Sequence, residues 1–280
     1  MSTLHDWLEQ AWERHDTQAQ ALAHELLARA TALPDDDDGA DAVRLARHTM
    51  LGHLADAALL RAFIGALPAG AHLAPARSRA EWALAQLEGR PAEALPEAVA
   101  WGLLGDVAQA DLVLGRLDAL RTRLLGLEDE AARHPDEAAR RAYAATAHNV
   151  TLALRLGARE PVHDALMIEL AGLERRAWAR AGTWMHVERA DYQLAMCHAA
   201  VGHGPDAQAF AAACLAACEA NGADAAERFF AHECGLHAAL AASDTESAAR
   251  HRAAMVARLA EVDDAEMRAF CEQTLAASPQ

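Results

Sequence analysis

The sequence predicts an all-α protein assembled from successive antiparallel helix pairs, and three observations carry that reading. Alanine makes up about a quarter of the 280 residues, and Ala, Leu, Glu, Gln and Arg, which lose least on entering a helix, dominate the rest. Strand formers are scarce: isoleucine occurs only as Ile64 and Ile168, and aromatic residues make up 5%. Apolar residues recur at three- and four-residue steps almost throughout, broken by short Gly, Pro and Asp clusters. A sandwich, a barrel or a doubly wound sheet is not expected from such a chain.

In chain order the periodicity predicts helices over 3–14, 17–33, 41–52, 54–67, 77–88, 97–114, 117–133, 136–156, 161–180, 184–201, 206–220, 225–241, 245–260 and 264–277. The stops between them have mechanisms. Pro34 ends one helix, and Asp35 to Asp38 with Gly39 supply acids suited to the N-terminus of the next. Pro161 and Pro205 sit in first turns, where a missing N–H costs little. Asn221-Gly222 is suited to a left-handed helix end. Loops this short make sequential helices antiparallel neighbours.

The pairs also repeat. Residues 188–221 read ERADYQLAMCHAAVGHGPDAQAFAAACLAACEAN, with Tyr192, Leu194-Ala195, Gly202, Ala207, Ala211 and Cys214-Leu215 at regular places. Small residues there let two helices approach closely while Leu and Tyr fill the seam. This unit resembles a tetratricopeptide repeat (TPR) over its full 34 residues. Turn positions aligned with Gly202 fall at Gly157, Gly115 and Ala242, with Gly52 and Ala57 as a further turn. Those from Gly115 to Ala242 stand 42, 45 and 40 residues apart, longer than the family's period. The resemblance implies one TPR-like solenoid over 1–280 with 12–14 helices. Residues 1–95 form its less regular start and 96–260 its recognisable repeats. Residues 261–280, with Glu261, Asp263, Asp264, Glu266 and Glu272, form a polar-faced capping helix.

Composition narrows the chemistry. All 25 basic residues are arginine, against 41 acids, for a formal charge of −16. Without lysine there is no Schiff-base amine and no P-loop lysine. A polyanionic backbone would be repelled, so no nucleic-acid partner is expected. No apolar run approaches the roughly 18 residues of a membrane span, and the opening Met1-Ser2-Thr3-Leu4-His5-Asp6-Trp7 lacks a secretory pattern. The five cysteines, Cys197, Cys214, Cys218, Cys234 and Cys271, are odd in number, which suits reduced thiols in the cytoplasm. Cys214 and Cys218 read as seam packing, and the six tryptophans mainly as core anchors, Trp184 being a candidate to stack a ligand. Gly-x-Ser-x-Gly and Gly-rich dinucleotide motifs are absent, and no catalytic residue is assigned.

The resemblance places a ligand groove on the first helix of each pair. The residue nine before each turn should line it, giving Asp106, His148, Gln193 and Glu233, with Arg155, Arg189, Met196 and His232 nearby. Such groups can hold the backbone and termini of a protein or peptide segment, so a non-catalytic adaptor without a cofactor is the leading expectation. The alternatives are a transition-metal-binding helical protein or metal-dependent enzyme with a His/Glu/Cys site around 197–237, and a scaffold subunit of an obligate complex. Fifteen histidines keep the metal open, with Cys197, His198, Cys234 and His237 as weak candidate ligands around the run Phe229 to His237. His232 and His237, His48 and His53, and His198 and His203 are each five residues apart. On an α-helix that offset puts two rings about 140° apart, so neither pair member should share an ion with the other.

Overall fold

Thr3 starts the first helix: its hydroxyl accepts the Asp6 N–H at 3.2 Å while the Asp6 carboxylate accepts the Thr3 N–H at 2.9 Å. From there the computed structural model, which describes residues 3–157 and 160–279, is all-α, with fifteen α-helices and no strand among the described residues. Met1 and Ser2 of the opening stretch lie outside them. No described helix is long and apolar enough to cross a membrane. The chain forms two compact units, Met1–Thr146 and Ala147–Gln280, the division falling within one helix.

The first unit holds α1 (Leu4–Glu13), α2 (Ala19–Arg29), α3 (Asp37–Arg47), α4 (Ala57–Ala66), α5 (Leu73–Glu88), α6 (Glu97–Val113), α7 (Leu117–Gly126), α8 (Glu128–Arg133) and the start of α9 (Glu137–Leu156). Its core is built on fully buried Leu22, Leu26, Leu45, Met50, Leu51, Leu60, Phe63 and Leu73. The aspartate run behaves as its composition suggests, and more. Asp36 caps α3 by accepting the Gly39 N–H at 3.0 Å, with Asp37 and Asp38 in the first turn. Asp35 instead accepts the N–H groups of Ala71, His72 and Leu73 and so ties down the start of α5.

Two expected helices break. The one over 41–52 begins earlier, at Asp37, and changes at Arg47 into a π-helical stretch, His48–His53. There the Leu54 N–H bonds back five residues to the Thr49 carbonyl at 3.1 Å. Ala55, at φ 50°, and the Asp56 cap then turn the chain into α4. The helix expected over 117–133 is two, α7 and α8, meeting at Leu127.

The second unit continues α9 and adds α10 (Pro161–Ala181), α11 (Trp184–Ala200), α12 (Gly204–Ala220), α13 (Ala225–Ala241), α14 (Thr245–Leu259) and α15 (Ala265–Ala277). From α10 to α15 each helix packs on the next, and α11 also packs on α13. The seam between α11, α12 and α13 is made of small side chains: Ala195, Ala207, Ala211, Cys214, Cys218, Ala231, Cys234 and Ala238 are all buried in one cluster. Trp184 packs against that cluster, part-buried. The turns at Gly115, Gly202 and Gly222 take the left-handed conformation. At the last turn the left-handed residue is Ser243, φ 60°, one beyond Ala242.

Gly204 marks the tightest approach to backbone in this unit, since a Cβ there would stand 2.6 Å from the Cα atom of Ala242. Gly204→Ala should therefore lower stability by about 1–3 kcal/mol, because backbone has to move. Ser243→Gly should raise it by up to about 1 kcal/mol by relieving the strained φ. Urea midpoints of the two variants check both signs.

Candidate functional site

One face of the second unit carries a cavity of about 1020 Å³. Its wall comes from α9 (His148, Leu152, Arg155, Leu156), α11 (Glu188, Arg189, Tyr192, Gln193), α13 with its N-terminal cap (Asp224 to Glu227, Phe230, Glu233) and the segment Glu261–Asp264 leading into α15 (Met267, Phe270, Thr274). Helices α10, α12 and α14 contribute no lining residue. Alternate helices thus face the cavity, as the pairing of the sequence suggests for first helices.

The polar floor is held by separate hydrogen-bonded groups, one of them centred on Glu174 of α10 behind the lining. His148 Nδ1 donates to Glu174 Oε1 at 2.8 Å, and Gln193 Nε2 donates to Glu174 Oε2 at 2.9 Å and to the His148 carbonyl at 3.1 Å. Burial raises the Glu174 carboxyl above its ordinary range, against the hydrogen bond from His148. Tyr192 donates its hydroxyl to Glu233 Oε2 at 2.8 Å. Burial likewise raises Glu233 and Tyr192. Arg189 pairs with Glu227.

Glu188 is a further buried acid here. It is 1% exposed, and its Oε1 accepts from the thiols of Cys214 at 2.8 Å and Cys218 at 3.4 Å. Both thiols stay protonated well above the ordinary thiol range, that of Cys218 through its hydrogen bond with Cys214 and through burial. Burial pushes the Glu188 carboxyl up to about 7. Its Oε2 is buried and has no hydrogen-bond partner. A ligand N–H reaching that oxygen would complete its bonding.

Apolar surface makes up the rest of the wall. Tyr192, Phe230 and Phe270 form an aromatic series, with ring centroids 6.5 Å and 5.7 Å apart in succession. Phe270 is 56% and Leu156 70% exposed, large apolar side chains left open to solvent at the cavity. The lining holds seven carboxylates (Glu188, Asp224, Glu227, Glu233, Glu261, Asp263, Asp264) against two guanidiniums, Arg155 and Arg189.

Of the eight residues expected in a groove, His148, Gln193, Glu233, Arg155 and Arg189 line this cavity. Met196 packs part-buried against the seam cluster, and His232 turns to α14, its Nδ1 3.2 Å from His251 Nδ1. Asp106 lies in the first unit, where its carboxylate accepts from Arg47 Nε at 2.6 Å and His48 Nδ1 at 2.8 Å. Sequence reasoning missed Glu174 and Glu188, which nothing in the helical period separates from solvated acids. It also missed Phe270, although Met267, Phe270 and Thr274 stand at helical spacing on one face of α15.

The candidate metal ligands do not assemble. Among the described residues, Cys197, His198, Cys234 and His237 form no set of three ligand atoms with one another; His198 instead has His203 and Asp206 within 4.8 Å, ligand atom to ligand atom. Cys197 is fully buried, Cys234 donates to the Ala231 carbonyl inside the seam, and His198 stacks on Phe210. The rule that a five-residue offset separates two imidazoles also fails twice. His48 and His53 lie in the π-helical stretch, where five residues span little more than one turn, and their Nε2 atoms are 3.2 Å apart. His203 lies beyond the end of α11, so the loop brings it back to His198, 5.7 Å between ring centroids.

No family model matches the chain, and no curated protein matches it. The site is therefore read from its own geometry.

A raised carboxyl pKa fixes the sign of one pH effect. Glu188 stabilises the fold fully when protonated, below its unfolded value of about 4.5, and that contribution is lost as pH rises through about 7. The shift corresponds to a loss on the order of 3 kcal/mol. In Glu188→Gln the amide oxygen still accepts from the two thiols and the group does not titrate. Urea unfolding at pH 5 and pH 8.5 should show a smaller loss of stability in the variant than in the wild type.

Proposed function

We propose that this protein is a non-catalytic adaptor whose cavity in the second unit holds a segment of another protein, one with apolar anchors and basic flanks. The observation that carries this reading is the combination of an open aromatic wall with a marked excess of carboxylates around it. Phe230, Phe270 and Leu156 offer surface that gains by leaving water. The carboxylates attract arginine or lysine and repel acidic chains, which sets selectivity and association rate more than affinity. The Arg155 Nε and the Glu188 Oε2, both buried without a partner, are a donor and an acceptor suited to a peptide backbone.

The resemblance to TPR proteins supports the same reading, since there too the first helices of successive pairs line the binding face. The reading includes a cytoplasmic setting, in keeping with five buried cysteines that form no disulfide.

Selection from a random peptide library displayed on phage, followed by fluorescence anisotropy with the recovered peptides, tests it. The expected ligands combine Leu, Phe or Trp with Arg or Lys, and bind more weakly as salt rises. Phe270→Asp, at an exposed position, should weaken them at least about tenfold with an unchanged melting temperature, and Glu233→Gln should weaken them less. Recovery of acidic peptides, or binding indifferent to Phe270→Asp, would count against the proposal.

A further inference from the structure

A second constellation lies in the first unit and has no part in that cavity. His15, just after α1, and His48 and His53, at the two ends of the π-helical stretch, bring one ring nitrogen each within 4.8 Å of the others. All three side chains are half-buried, so the cluster is sheltered yet reachable from solvent. His48 and His53 are closest, Nε2 to Nε2 at 3.2 Å. Two nitrogens bound to one tetrahedral zinc at about 2.0–2.1 Å stand about 3.3 Å apart, so this pair already has the spacing of two ligands on one ion.

The outer atoms of two of the rings, His48 and His15, are committed in the way metal-bound imidazoles require. An ionised carboxylate only accepts, so the contact to Asp106 Oδ1 at 2.8 Å puts the proton of His48 on Nδ1 and leaves Nε2 to the cluster. Asp106 is itself 7% exposed and fixed by Arg47 Nε at 2.6 Å through its other oxygen. His15 Nδ1 likewise donates to the Trp12 carbonyl, which leaves its Nε2 free. A carboxylate behind His48 and a carbonyl behind His15 fix tautomer and orientation and raise the basicity of the remaining nitrogen.

We propose that His15, His48 and His53 bind one divalent transition ion of the zinc class, with Asp106 as the positioning residue behind His48 and a fourth place left for water or a small ligand. Three imidazoles select zinc, cobalt, nickel or copper over magnesium and calcium, which prefer oxygen. Closing the set needs only His15 to move inward, as it sits at the end of a helix and not within one.

Titration of the metal-free full-length chain with Co²⁺ and Zn²⁺, followed by the visible spectrum of the cobalt form and by calorimetry, tests this. The wild type should bind one ion per chain and give the intense bands of a tetrahedral cobalt site. His53→Ala should weaken binding at least about a hundredfold and abolish the bands, and His15→Ala, outside the helices, should do so with unchanged helicity. Asp106→Asn should keep the site but bind about 10–100-fold more weakly. His237→Ala, in the second unit and in neither group of three possible ligands, should change nothing. Absence of stoichiometric binding in the wild type, or equal binding in the His15→Ala and His53→Ala variants, would overturn the site and show the 3.2 Å contact to be a hydrogen bond between two imidazoles.

Discussion

The close approach of helices across seams of small side chains is the constraint from which the rest of the second unit follows. Where α11, α12 and α13 meet, the buried side chains are alanine and cysteine, and Gly204 lies against the backbone of Ala242. Helices this near leave no room for bulky residues between them, so the large apolar side chains move outward. Tyr192, Phe230 and Phe270 stand on the cavity side as a consequence. The same composition that makes alanine a quarter of the chain thus produces both a tight seam and an aromatic wall.

Tight seams also trap acids. Glu174, Glu188 and Asp191 sit at or below 3% exposure on helices whose neighbours leave little space for water. A buried carboxylate is tolerated only with donors around it, and each has a different set. Glu174 has His148 and Gln193, Asp191 has Arg175, and Glu188 has two thiols. Burial raises the pKa of all three, and for Glu188, whose thiol donors are weak, it does so to about 7. Uneven satisfaction of buried acids leaves one unfilled acceptor, Glu188 Oε2, at the cavity.

Helix by helix, the all-α architecture was legible because its cues are local. Periodicity of 3.6, prolines in first turns and Gly222 after Asn221 act over a few residues, and α13 spans the same 225–241 that its pattern predicts. His148, Gln193 and Glu233 were legible as cavity residues for the same reason, since a fixed offset from a turn selects one face of a helix. Phe270 was not, because α15 was read through its acids and its apolar face was left out. Asp106 satisfies the offset too, yet Arg47 and His48 claim it, and those partners are 59 and 58 residues away in sequence. Offsets within a helix cannot show which side chain from elsewhere arrives first.

The histidines show where such reasoning stops, and why the failure is informative. An argument from angle assumes a uniform helix, and at His48–His53 the chain departs from it: a wider turn, a backbone bond five residues long and a left-handed Ala55 immediately after. Departures of this kind cost free energy and persist where surrounding packing holds them. Here Met50 and Leu51 are fully buried in the core of the first unit and anchor the stretch on its inner side. Its two ends are thereby left to present His48 and His53 together on the outer side. A regular helix through the same residues would bury the same core and turn the two rings apart. The irregular turn is what places two imidazole nitrogens at ligand spacing, so the local rule fails at the position where chemistry becomes available.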